Sequence, residues 1–411
     1  MAALLVIMLE LLLFAILGAA IGVVTGLVPG MHVNNLLPIL IPLSLMFGPY
    51  QVVVMIVSMS VVQIFVGFIP SIFLGAPEAD SSLSTLPGHQ LLQEGRGLEA
   101  IKLTVVGGLG ALLVSLTIVY LLSPYFRDLY EMSRPYIAYI LLGIVGFLVV
   151  GQSGFKKKLA SLVMILLSGI FGLAALNSPY SNQQTILFPV LSGLFGISIL
   201  LVSSMKGSKI PDQTGDSFLC SRQNLIKSIA LGSVAGICVG FLPAIGVSQA
   251  AVIFQGIGSL SDARSFLVSL SGINVANEVF SLNSVYLIGN PRSGSSVAME
   301  EIMGGLKAAD VALFSGVIIF SCGIGALATV FLARRVPKIL CKLNYRTLSL
   351  SVCALMLGMV LFTSGAYGIL VALSGASIGI LCDRLGARKS DCMGVLLVPS
   401  LFFFLGLGPV L

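Results

Sequence analysis

Residues 18–33 read GAAIGVVTGLVPGMHV, and residues 232–247 read GSVAGICVGFLPAIGV. Adding 214 to the number carries Gly18, Gly22, Gly26, Pro29 and Val33 onto Gly232, Gly236, Gly240, Pro243 and Val247. The same offset, without insertion, carries Gly75, Pro77, Ser81 and Ser82 of LGAPEADSS onto Gly289, Pro291, Ser295 and Ser296 of IGNPRSGSS. The chain is therefore two copies of one unit, and each copy holds two apolar segments broken by glycine and proline. Paired breaks at corresponding positions of two halves are the sequence mark of a binding site between membrane repeats.

Composition settles the solvent. Of 411 residues, 57% are hydrophobic and 9% charged, with a mean hydropathy of +1.07; a soluble domain carries about 25% charged residues. Apolar runs of membrane-crossing length recur along the chain, and the short alternating segments of a transmembrane β-barrel are missing. The expected fold is an all-α polytopic membrane protein of two inverted-topology repeats, with about ten crossings plus broken or re-entrant helices at the Pro/Gly motifs. The apolar N-terminus lacks a basic flank and repeats an internal segment, so it reads as part of the first repeat, not as a cleaved signal. The seven cysteines have no metal-ligand spacing, and neither a metal nor a disulfide framework is expected. The net charge of +6 is spread over loops and does not imply nucleic-acid binding. With tryptophan absent, Tyr120, Tyr125, Tyr130, Tyr136 and Tyr139 are the expected aromatic belt.

Residues 1–204 form the first repeat, 205–223 a polar linker and 224–411 the second repeat. Lys156, Lys157 and Lys158 mark one loop as cytoplasmic, and two crossings later the linker carries Lys206, Lys209 and Arg222. Loop 334–346 holds five basic residues and no acid, whereas in its counterpart 123–134 Arg127 and Arg134 are offset by Asp128 and Glu131. Loop 383–391 is basic and its counterpart 176–183 is uncharged. Wherever one copy is basic, its twin is not, so the halves have opposite orientation and each crosses an odd number of times.

A break inside a bilayer exposes backbone polar groups. Half-helices that start after Pro29–Gly30, Pro77, Pro243 and Pro291 would aim N–H groups and positive dipole ends at the break, which suits an anion. The competing reading is that these glycines serve only close helix packing. The candidate substrate-binding residues are Gly26, Pro29, Gly30, His32, Asn34 and Asn35 at the first break and Gly75, Pro77, Ser81 and Ser82 at the second. In the second copy they are Pro243, Gly246, Ser248 and Gln249, then Pro291, Arg292, Ser293, Ser295 and Ser296. Asn274, Asn277, Glu278, Glu78 and Asp80 are candidates for a coupling ion, Na⁺ or H⁺. Arg292 suits a carboxylate or phosphate because its planar fork matches both; the alternative is an internal ion pair with Glu78 or Glu278. Glu278 either handles the coupling ion or sits inertly at a membrane edge. His32 either titrates near neutral pH or packs beside a kink. With only His32 and His89, and no GxSxG, HExxH or Walker motif, no enzyme activity and no cofactor are expected.

These motifs, GxxxGxxPG followed by LLGxPxxxSSxxT and their second copies, resemble the large membrane subunit of tripartite tricarboxylate transporters, the TctA family. The resemblance implies a short, stand-alone prokaryotic or archaeal-type permease in the plasma membrane, moving a tri- or dicarboxylate by alternating access. It further implies coupling to Na⁺ or H⁺, a small membrane subunit and an extracytoplasmic binding protein. Carried over, Pro29, Gly30, Gly75, Pro77, Ser81, Ser82, Pro243, Gly246, Gln249, Pro291, Ser293 and Ser296 would line its site. The chain departs from the family pattern at Ala244, at His32 and at Arg292, where the family has small residues. The motifs are also similar to polyprenyl-phosphate translocases, whose paired Pro–Gly segments bind a lipid phosphate. A homodimer remains compatible with either, and a non-transporting scaffold would leave the paired polar breaks unexplained.

Overall fold

A computed structural model of the protein describes residues 2–28, 33–74, 85–180, 183–206, 213, 220–242, 247, 250–251, 262–336 and 345–407. The break segments 29–32, 75–84 and 243–246 lie outside them, as does most of the linker. In the first half the helices are α1 (Ala2–Leu27), α2 (Val33–Phe47), α3 (Pro49–Val66, continued by a π turn at Pro70–Leu74), α4 (Thr85–Gln93) and α5 (Gly97–Leu122). They are followed by α6 (Phe126–Ser133), α7 (Ile137–Val150), α8 (Phe155–Leu176), α9 (Gln183–Leu191) and, beyond a π segment, α10 (Ser198–Lys206). The second half has α11 (Arg222–Phe241), α12 (Ala263–Leu287), α13 (Gly294–Met303), α14 (Ala308–Ala333), α15 (Tyr345–Leu385) and α16 (Gly394–Phe404). Among the described residues every regular element is helical, and nine segments are long and apolar enough to span a membrane.

The repeat is visible in the elements themselves. α3 and α12 start 214 residues apart, whereas α5 and α14 are both 26 residues long and start 211 apart. The second copy is thus three residues shorter between these helices. Beyond them, Gly154 before α8 has φ +86° and its counterpart Gly365, which kinks α15, has φ +63°. Both sit where the chain reverses, in a left-handed conformation that a side chain would strain.

Glycine decides how the inner helices pack. A Cβ on Gly18 would run into the Met55 carbonyl, one on Gly22 would come 2.5 Å from that of Met59, and one on Gly26 would come 2.9 Å from Val66 Cβ. The numbers rise together, so α1 and α3 run parallel and in backbone contact, as small-xxx-small surfaces allow. Gly232, Gly236 and Gly240 lay α11 along α12 in the same way, against Ser269, Ile273 and Phe280. Two parallel neighbours require the chain to return between them. α2 makes that return, so α1 and α2 enter and leave from the same end.

The opposed orientation of the halves follows from contacts across them. Ser60 meets Glu278, while Phe65 and Ser271 both pack where a Cβ on Gly108 would point. As the number rises along α3 it falls along α12, so the two equivalent helices are antiparallel. Counterpart clasps join the halves at opposite ends: Tyr50 Oη donates to Asp310 Oδ1 at 2.8 Å, and Arg264 Nε donates to Glu99 Oε1 at 3.0 Å. Arg264 is Tyr50 plus 214, and Asp310 is Glu99 plus 211. Glu99 is fully buried and also pairs with Arg96. Gln213 of the linker accepts from Gly97 N at 2.8 Å and so ties the linker to the start of α5.

The outer helices are exchanged between halves. Gly172 of α8 and Gly394 of α16 bring those two helices into backbone contact, and Gly193 and Gly379 do the same for the α9–α10 segment and the second half of α15. Lys389, buried in the turn before α16, donates to Gly379 O at 2.6 Å and Ser198 Oγ at 3.1 Å and pairs with Asp383 at 3.0 Å. Arg388 reaches Gly151 O at 3.3 Å, which puts the basic loops 152–158 and 383–391 at one end of the bundle. Of the expected aromatic belt, Tyr120, Tyr125, Tyr136 and Tyr139 are exposed, but Tyr130 is half-buried against Phe241.

Leucine at Gly18 or Gly232 is expected to lower the thermal stability of the detergent-purified protein by about 1–3 kcal/mol, as overpacking does. Leucine at Gly143, which has open space around it, leaves it unchanged. Glu99→Gln, which leaves two guanidiniums around a neutral amide, is expected to cost about 2 kcal/mol in the same measurement. That is less than a fully enclosed pair would cost, because Arg96 and Arg264 are 20% and 23% exposed.

Candidate functional site

Two half-helix starts from opposite repeats meet each other. α2 begins at Val33, just after the first break, and α13 begins at Gly294, just after the fourth. A Cβ on Gly294 would run into the Asn34 side-chain oxygen, so a larger residue there would require that side chain to move. The N-terminus of each helix presents N–H groups that lack intrahelical partners, and the two positive dipole ends face the same place.

Local sequence explains why α13 starts where it does. Gly289, the residue after α12 and its C-cap Ile288, has φ +63°, a left-handed stop for that helix. Ser293 then caps α13, accepting from Ser296 N at 3.2 Å, while Ser296 Oγ accepts from Ser293 N and Arg292 N, both at 2.8 Å. The serines of the PRSGSS motif therefore hold the loop rigidly, and two of them are spent on that task.

Ser295 has a different role. Its hydroxyl lies 3.0 Å from Ser60 Oγ on α3 and 3.2 Å from Glu278 Oε1 on α12, and Ser60 donates to the same carboxylate oxygen at 2.5 Å. All three residues are buried. The Glu278 carboxylate, in the interior of a membrane-spanning helix, is thus held by hydroxyls from the other repeat and from a half-helix start. Asn274 lies one turn earlier on the same helix and is buried, whereas Asn277 is half-buried and faces Gly240.

Arg292 lies at the mouth of the same half-helix. Its guanidinium sits over the Tyr130 ring, 4.8 Å from the centroid, and that ring is in turn held by Phe241, which packs with Phe126 and Phe280. The Nε and Nη2 atoms are buried, and neither has a hydrogen-bond partner among the described residues. These two donors share one edge of the planar group and point the same way, the geometry that receives both oxygens of a carboxylate or two of a phosphate. The internal ion pair with Glu278 is not formed.

The structure brings together Asn34, Arg292, Ser293, Ser295, Ser296 and Glu278 of the residues expected from sequence, with Pro291 half-buried beside them. Gly26 is a packing contact of α1 on α3. Pro29, Gly30, His32, Gly75, Pro77, Glu78, Asp80, Ser81, Ser82, Pro243, Gly246, Ser248 and Gln249 lie outside the described residues, as does the side chain of Asn35. Two participants escape a reading by motif. Ser60 lies in the apolar run of α3, yet it is the counterpart of Asn274 at the 214-residue offset, and that offset was the signal available. Tyr130 lies on the short helix α6, which has no counterpart motif, and carries no local signal. No cluster of three or more His, Cys, Asp or Glu residues suited to a metal occurs among the described residues.

Comparison with known proteins agrees with this architecture. The chain is 32% identical over 383 residues, 91% of its length and 94% of the relative's, to the uncharacterized protein MJ1079 of Methanocaldococcus jannaschii. No solved structure matches it significantly. The model of the tripartite tricarboxylate transporter TctA family matches residues 12–394. The chain is an integral membrane protein and belongs to that family.

Proposed function

We propose that the protein is a permease subunit that binds a di- or tricarboxylate at the Arg292 fork, between the two repeats, and moves it by alternating access with coupling through Glu278. The single observation that carries this reading is the pair of buried donors on one edge of Arg292 that have no partner among the described residues. A buried donor without a partner costs about 1–3 kcal/mol, and a bound carboxylate would recover that cost while matching the fork in charge and shape. The half-helix starts of α2 and α13 add positive potential at the same place.

Coupling follows from the position of the acid. Glu278 sits on the other side of the α13 start from Arg292 and is held by Ser60 of the opposite repeat. Protonation or Na⁺ binding there would alter the hydroxyl contacts that tie α3, α12 and α13 together, and so bias the repeats toward one arrangement. Membership of the family supports a small membrane subunit and an extracytoplasmic binding protein as partners, and the basic ends of the helices support the prokaryotic plasma membrane as location, with the 205–223 linker cytoplasmic.

The test is ligand-induced thermal stabilisation of the purified protein by citrate and succinate, with and without Na⁺, against a short-chain polyprenyl phosphate. At a hundredfold excess over Kd a ligand bound only by the folded state stabilises it by about 2.7 kcal/mol. Citrate or succinate is expected to stabilise, and Arg292→Gln to weaken that binding about a hundredfold, within the 2–5 kcal/mol range for truncating one partner of a buried charge pair. Stabilisation by the polyprenyl phosphate alone would replace the carboxylate reading with a lipid-carrier translocase. Glu278→Gln is expected to retain carboxylate binding but lose its dependence on Na⁺ or pH; a variant that keeps that dependence would remove Glu278 from the coupling role.

A further inference from the structure

The outer face of α14 carries a groove of about 820 Å³, lined among the described residues by Leu327, Ala328, Val330, Phe331, Arg334 and Arg335. This volume lies within the range of small-molecule sites, about 300–1,000 Å³. Its walls are apolar and face outward: Leu327 is 76% and Phe331 56% exposed. Both belong to the membrane-spanning part of the helix, which ends at Ala333, so hydrocarbon is the surrounding medium at that depth.

The rim has the opposite character. Arg334 and Arg335 are exposed, stand one and two residues beyond the end of the span, and form no ion pair among the described residues. Arg335 is held in place over the Phe331 ring, 3.5 Å from its centroid, and donates to Phe331 O at 3.2 Å. Two positive charges at the headgroup level, that of Arg335 held in place, above an outward-facing apolar groove match one ligand chemistry: an anionic headgroup carrying acyl chains. The inverted repeat supplies an internal control. Subtracting 211 places Ser123 and Pro124 at the corresponding end of α5, so that helix end lacks the arginine pair. That face also bears the Lys156–Lys158 loop, because α14 runs antiparallel to α5 and α7 returns the chain to it.

We propose that this groove binds an anionic phospholipid, its acyl chains lying against Leu327 and Phe331 and its phosphate between Arg334 and Arg335. The site is separate from the Arg292 centre and does not depend on what that centre binds.

Native mass spectrometry of the detergent-purified protein, titrated with phosphatidylglycerol, phosphatidylcholine or glycerol phosphate, tests it. Phosphatidylglycerol is expected to be retained and phosphatidylcholine to be lost. The double variant Arg334→Gln, Arg335→Gln is expected to bind phosphatidylglycerol about thirtyfold more weakly, from roughly 1 kcal/mol per basic residue at the surface. Arg127→Gln with Arg134→Gln makes the same charge change at the other end and is expected to have no effect. If the first double variant fails to fold, Arg334→Gln alone carries the test, with an expected loss of about fivefold. Equal retention of phosphatidylcholine, equal loss in both double variants, or displacement of the lipid by an equal concentration of glycerol phosphate would each overturn the proposal.

Discussion

A helix that stops inside a bilayer leaves amide groups with neither water nor an intrahelical partner, and each costs several kcal/mol unless something satisfies it. Most of this architecture answers that constraint. Glycine stripes let α1 and α11 lie against α3 and α12 at backbone distance, beside the helix ends that flank the breaks. The loop before α13 has its amides satisfied by its own serines. Beside it stands Arg292, whose two buried donors find no partner among the described residues.

Inversion of the repeat shapes the charge of that chemistry. Counterpart positions do equivalent mechanical work with different residues: Tyr50 and Asp310 at one end of the bundle, Arg264 and Glu99 at the other. At the centre the equivalence breaks down. The counterpart of Glu278 is Ile64, that of Arg292 is Glu78, and that of Ser60 is Asn274. A symmetric scaffold can place a substrate near its axis. Distinct residues in the two copies put both Arg292 and the Glu278 carboxylate in one half, with Ser60 of the other half donating to that carboxylate.

Much of this was legible from residues alone because membrane physics leaves few choices. Apolar runs in the first half correspond to α1, α2, α3, α5, α7, α8 and the α9–α10 segment, and in the second half to α11, α12, α14, both parts of α15 and α16. The loop charges carried the inversion before any contact between Ser60 and Glu278 was known. The short helices α4, α6 and α13 were not legible. They are amphipathic or capped pieces whose helicity depends on packing against the bundle, and their sequences read as polar loops. Ser60 was hidden for a related reason: a single hydroxyl in an apolar run is ordinary, and only its distance to Glu278 gives it a role. Tyr130 read as an interfacial residue because its loop position suits one. Its ring instead turns inward, where Arg292 supplies a cation for its face.

The most direct measurement is an electron cryo-microscopy structure of the protein in lipid nanodiscs with citrate and Na⁺, enlarged by a bound antibody fragment. Expected is a carboxylate seated on the Nε–Nη2 edge of Arg292, over Tyr130 and facing the starts of α2 and α13. A ligand bound elsewhere, with that edge of Arg292 still unpartnered, would contradict the assignment of the site.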